Sequence, residues 1–125
     1  MHSARLLDHF QNPRNVGELP QPAITVEVSN PICGDILRLS VRFDGERASE
    51  ARFLTRGCTA SIAAGSALTE WVTGKTRAEL AAVNAAVVED GVGGLIPESK
   101  HAAVLCVDAV KALLKDAQTS HFTRT

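Results

Sequence analysis

The sequence predicts an α+β fold, a three-stranded antiparallel meander packed against a layer of helices, with a helix leading the chain. Three observations carry that expectation. Ile24, Val26 and Val28 alternate with Thr25, Glu27 and Ser29, and Leu37, Leu39, Val41 and Phe43 alternate with Arg38, Ser40, Arg42 and Asp44; a period of two is that of a half-buried strand. Asp44-Gly45 follows as a hairpin signal, so the chain can return as a third strand. Past Cys58 the apolar spacing becomes helical, which supplies the cover that an apolar sheet face requires.

Taken in order, Met1 to Phe10 reads as a short amphipathic helix, ended by the turn formers of Asn12-Pro13-Arg14-Asn15-Val16-Gly17. Strands follow at Ile24–Ser29, Leu37–Asp44 and Ala48–Thr55. From Thr59, the residues Ile62, Gly65, Leu68, Trp71 and Val72 recur at helical spacing, and Gly74 marks the stop. Thr76 is an N-cap for a helix over Arg77–Val83. Gly91, Gly93 and Gly94 favour a loop within Asn84–Ile96. Pro97 suits the first turn of a long helix reaching about Lys115, with an apolar stripe of Ala102, Leu105, Cys106, Ala109 and Leu113. The polar tail from Gln118 to Thr125 is expected to fray.

The 125 residues suffice for one compact domain and are too few for two ordinary ones, so residues 1–125 are expected to form a single domain. A hydrophobic share of 45% and a charged share of 22% are those of a globular protein. A net charge of −1 offers no footprint for nucleic acid or an anionic membrane. No apolar run approaches the roughly 20 residues of a transmembrane helix, and the first helix carries no signal-peptide pattern. Three cysteines, an odd number, argue against a disulfide framework and for free thiols in a cytoplasmic setting.

The chemistry-bearing residues are Cys33, Asp35, Cys58 and His101, each at the end of an element. Cys33-Gly34-Asp35 sets a soft and a hard ligand either side of a flexible glycine. Cys58 follows Gly57 where a strand gives way to a helix, and helix N-termini favour negative charge and hence thiolate, the form that ligates metal or accepts sulfur. His101 lies in the first turn of the last helix. Two thiols, a carboxylate and an imidazole suit a borderline metal or an iron–sulfur cluster. His2, His9 and His121 have no comparable context and are expected at the surface.

These residues carry a resemblance to the IscU/NifU-type iron–sulfur cluster assembly scaffolds that runs over nearly the whole chain. The matching segments are Asn12 to Gly17, Cys33-Gly34-Asp35, Ala51-Arg52-Phe53 leading to Gly57-Cys58, Ala60 to Ala63, Thr69-Glu70-Trp71-Val72 with Gly74-Lys75, and Asp108-Ala109-Val110-Lys111. The resemblance implies a scaffold or carrier, not an enzyme, on which sulfur from a cysteine desulfurase and ferrous iron combine into a transient [2Fe–2S] cluster for transfer to apo iron–sulfur proteins. It assigns Cys33, Asp35 and Cys58 as ligands. The family's third cysteine, generally its main acceptor of persulfide sulfur, often follows a histidine. Matching the last helix sets that pair on His101-Ala102, whereas counting cysteines would choose Cys106. With alanine at 102, the remaining set of Cys33, Asp35, Cys58 and His101 is adequate for one zinc or iron ion and conceivable for a cluster of two-thiolate type. The family's chaperone-recognition segment is altered here to Ile96-Pro97-Glu98-Ser99-Lys100, so the resemblance does not extend to a chaperone partner.

Two other readings remain open. A degenerate relative would bind zinc and regulate a desulfurase without building clusters. An enzyme would use Cys58 as nucleophile, His101 as base and Asp35 as orienter, although nothing in the sequence specifies a substrate pocket. Monomer and homodimer are equally compatible with the sequence.

Overall fold

A computed structural model describes residues 2–31 and 34–123, with side chains as far as residue 116. The alternating segments form one sheet of order β1-β2-β3, from β1 (Ile24–Ser29), β2 (Ile36–Asp44) and β3 (Arg47–Arg56), with both pairs antiparallel. The register sets Leu39 beside Val26 and Phe53, and Val41 beside Ile24 and Ala51, so the apolar residues line up on one face. Leu37, Leu39 and Val41 are wholly buried there, and each such burial contributes about 1.5–3 kcal/mol. An irregularity between Arg42 and Phe43 adds a residue to β3, which is why Ala48 and Ala51, three apart, both face inward. On the opposite face Ser40 is buried as well, its hydroxyl 2.8 Å from that of Thr25 across the strand pair.

The helical layer comprises α1 (Ala4–Gln11), α2 (Thr59–Val72), α3 (Arg77–Leu80), α4 (Ala85–Gly91) and α5 (His101–Thr123), with a single 3-10 turn at Pro97–Ser99 before the last. α2 packs on β3 and α1, and α5 packs on β1 and β2. The loop after α1 lies along the outer edge of β3, where Phe53 N–H donates to Asn15 C=O at 2.9 Å and Gly17 N–H donates to Phe53 C=O at 2.8 Å. That loop covers an edge that would otherwise offer unpaired backbone groups. No helix among the described residues is long and apolar enough to cross a membrane.

The structure departs from the sequence reading in several places. Asn84–Ile96 is not all loop: Asn84 caps α4 by accepting from Val87 N–H at 3.0 Å, and Val88 and Val92 bury one turn apart. α3 stops at Leu80, a single turn closed by the reciprocal Thr76–Glu79 capping box. α5 runs past Lys115 to Thr123, a stretch that holds no glycine or proline to break it. Finally, α2 is buried on far more than the expected stripe, since Ala60, Ser61, Ala63, Ala64, Ser66, Ala67 and Thr69 are buried along with Gly65, Leu68 and Val72. Small side chains let this helix approach its neighbours on several sides at once.

Gly65 marks the tightest of these approaches. A Cβ at that position would lie 2.6 Å from the Phe53 ring, which is itself buried in the core. Ser66 supports the other side. Its hydroxyl accepts from Arg14 N–H at 2.9 Å and lies within hydrogen-bond distance of His9 Nδ1 at 2.8 Å. The other ring nitrogen, Nε2, faces Glu70 at 3.6 Å. His9 is therefore not the surface residue that its context suggested but a buried strut, 5% exposed, between α1 and α2.

Two outcomes follow from this packing. Gly65→Ala should destabilise the protein by about 1–3 kcal/mol through overpacking, outweighing the roughly 1 kcal/mol that alanine gains in helix propensity; urea unfolding reads the difference. Desolvation, and after it the charge of Arg14, hold the His9 pKa below its ordinary 6.5. The unfolded chain then binds more protons than the folded one below that value, so stability is fully present above it and declines as pH falls through it. The urea midpoint of the native protein should drop between neutral and mildly acidic pH more steeply than that of His9→Gln, which has no such group to titrate.

Candidate metal centre

The β2–β3 hairpin register pairs Ile36 with Arg56, so Asp35 and Gly57 lie just beyond the end of the ladder, side by side. Asp35 is anchored by its own backbone, whose C=O accepts from Asn30 N–H at 2.8 Å. Its carboxylate lodges against the backbone of Gly57, where a Cβ would come within 2.7–2.9 Å of the carboxyl atoms. Only glycine leaves that space at position 57. The next residue, Cys58, is the N-cap of α2, but its side chain makes no capping hydrogen bond, and the exposed thiol is free to face the carboxylate. The last helix begins at His101 and delivers its imidazole to the same point.

The three donor atoms converge. Asp35 Oδ2 lies 3.2 Å from His101 Nε2 and 3.9 Å from Cys58 Sγ, and Cys58 Sγ lies 3.7 Å from His101 Nε2. Tetrahedral ligation with bonds of about 2.0–2.3 Å places donor atoms roughly 3.3–3.8 Å apart, so the three atoms are spaced closely enough to share one metal ion. The carboxylate is buried, the imidazole intermediate and the thiol exposed. Before any metal enters, His101 Nε2 lies against the Asp35 carboxylate, and the positive end of α2 favours the negative charge gathered there.

Of the four residues singled out in the sequence, the structure brings Asp35, Cys58 and His101 together, while Cys33 lies outside the described residues. Ala102 points into the core at 1% exposure. Cys106 is in the core too, and burial pushes its thiol pKa up to about 12, which leaves it protonated and inert. Sequence reasoning missed Ser61. This buried hydroxyl donates a short hydrogen bond to Asp35 Oδ2 and sits 3.4 Å from Cys58 Sγ. The available signal was its place three residues after Cys58, the spacing that brings N-cap and N3 side chains together. A cleft of about 890 Å³ lined by residues such as Pro20, Thr25, Arg42 and Arg77 includes none of these groups.

Comparison with known proteins identifies the family of the chain. Residues 1–123 match the family described as the NifU-like N terminal domain. The iron-sulfur cluster assembly scaffold protein IscU of Haemophilus influenzae is 37% identical over 119 residues, covering 92% of this chain and 94% of its own. Iron-sulfur cluster assembly scaffold protein IscU 1 of Archaeoglobus fulgidus is 36% identical over 116 residues, 93% of this chain and 76% of that protein. Among solved structures, one from Fervidobacterium islandicum AW-1 superposes with a TM-score of 0.73 at 21% identity, covering 90% of this chain and 96% of that one, and shows the same fold. A NifU-like N-terminal structure from Brucella abortus gives 0.61 at 22% identity, covering 88% and 77%. Over nearly its whole length, then, this chain belongs to the NifU-like N-terminal domain family.

Proposed function

We propose that this protein is a scaffold for the assembly and transfer of iron–sulfur clusters, a carrier that performs no catalysis of its own. The observation that carries the reading is the convergence of Asp35, Cys58 and His101 at ligand spacing, in a chain whose relatives are named as such scaffolds. Cys33 completes the set by the resemblance of the Cys33-Gly34-Asp35 segment to the family's first ligand and aspartate. The cargo is ferrous iron and sulfur, built into a [2Fe–2S] cluster; zinc suits the same mixed donor set in the isolated protein. A cytoplasmic setting fits free thiols.

Sulfur enters as a persulfide presented by a cysteine desulfurase. The Cys58 thiolate attacks the terminal sulfur, the S–S bond of the donor breaks, and the donor leaves as a thiolate while Cys58 becomes the persulfide. Electrons balance without an external oxidant or reductant. Cys58 is suited to this step because it is exposed, whereas Ala102 has no thiol and Cys106 is buried. Carboxylate and imidazole are harder ligands than thiolate, so a cluster held partly by Asp35 and His101 is weakly retained and readily passed to an apoprotein.

The absence of a thiol at Ala102 favours a second reading, in which the protein holds zinc and modulates a desulfurase without accepting sulfur. Anaerobic reconstitution with ferrous iron, cysteine and a desulfurase separates the two. A [2Fe–2S] absorption and Mössbauer signature that disappears in Cys58→Ala supports the scaffold. A colourless protein that alters the desulfurase rate yet acquires no sulfur supports the regulator. Brief alkylation of the native protein should label Cys58 and spare Cys106, which reacts only after unfolding; peptide mass spectrometry would show early Cys106 labelling if the core placement were wrong.

A further inference from the structure

We infer that Ser61 is a positioning residue of the metal site, acting through Asp35; the inference rests on the metal-site reading above. Ser61 occupies the N3 position of α2, three residues after the N-cap Cys58, and is 3% exposed. Its hydroxyl proton is committed to Asp35 Oδ2. Toward Cys58 Sγ, 3.4 Å away, the same oxygen has only a lone pair to offer, so it does not compete for the thiolate.

The geometry makes this contact decisive once a metal binds. In the metal-free arrangement Asp35 Oδ2 has three side-chain partners, Ser61 Oγ, His101 Nε2 and, at 3.9 Å, the Cys58 thiol, which gives up its proton when it ligates. Ligation takes His101 Nε2 away, because its lone pair must turn to the metal. Among the described residues, Ser61 is then the side chain that still donates to the carboxylate. Gly57 supplies the opposite wall through its bare backbone, so Asp35 is clasped between a glycine that gives it room and a serine that fixes its rotation. A carboxylate held this way meets the metal without first losing rotational freedom, and loss of such an outer hydrogen bond costs on the order of 10–100-fold in metal affinity.

Competition of the full chain with a chromophoric chelator for Zn²⁺ tests the assignment, with Co²⁺ as the spectroscopic probe. Ser61→Ala should weaken Zn²⁺ binding by about 10–100-fold while the circular dichroism spectrum stays native. Its Co²⁺ complex should keep the thiolate charge-transfer band from Cys58 and take on the d–d bands of Asp35→Ala. In the Asp35→Ala background, Ser61→Ala should cost nothing further, because its effect runs through the carboxylate. Native affinity in Ser61→Ala overturns the inference, as does an equal loss with and without Asp35, which would mark a structural role. If Asp35→Ala itself binds Zn²⁺ like the native protein, the site reading fails and the role of Ser61 fails with it.

Discussion

The packing of α2 is the constraint on which the rest depends. This helix is hemmed in by β3, α1, α4 and α5, and it tolerates that crowding because, apart from Leu68 and Val72, its buried positions are alanine, glycine, serine and threonine. Small residues forgo the large burial energies of leucine or phenylalanine but allow backbones to approach closely. The hydroxyls among them are satisfied: Ser66 by Arg14 and His9, Thr69 by the Ser66 carbonyl and Asn15 Nδ2, Ser61 by Asp35. Buried polar groups with full partners fix one arrangement, where an all-alanine surface would allow the helix to slide.

A helix that cannot slide has an end that cannot move. The first turn of α2 carries Cys58 and Ser61, and the hairpin that precedes it carries Asp35 and Gly57 at the last rung of the ladder. Strand register therefore sets the height of the carboxylate, and the clash-free contact of Gly65 with Phe53 sets the height of the thiol against it. His101 arrives independently on α5, which packs across β1 and β2 on the same sheet. Three segments far apart in sequence meet because each is the terminus of an element whose body is locked in the core.

Much of this was legible from residue order. Period-two alternation located the strands, the glycines and caps located most helix ends, and the ligand types stood at the element ends where a sheet and helices converge. What escaped has a common physical origin. The burial of α2 runs mostly through alanine and serine, so the helical spacing of Ile62, Gly65, Leu68, Trp71 and Val72 shows only part of the buried face, and Ile62 and Trp71 are themselves partly exposed. α4 is two turns held by an Asn84 cap and the Val88–Val92 pair, and its glycines mark its end and exit, not its absence. His9 and Ser61 are polar residues whose burial is decided by partners fifty-seven and twenty-six positions away, which no local window contains.

The depth order of the donors gives the site a direction. Asp35 lies at the bottom, His101 halfway and Cys58 at the surface, so the soft sulfur faces outward and the hard oxygen inward. On the scaffold reading, sulfur delivered by a protein partner meets the exposed thiol first, without any need to open the core. The carboxylate, whose place is already fixed by Ser61 and Gly57, would hold iron beside that sulfur. Release would favour the same face, because oxygen and nitrogen are the weaker ligands for a cluster and the exposed thiol is the side an acceptor's cysteines can reach. With alanine in the core at position 102 and Cys106 buried, Cys58 is, among the described residues, the thiol that this reading assigns to both loading and handover.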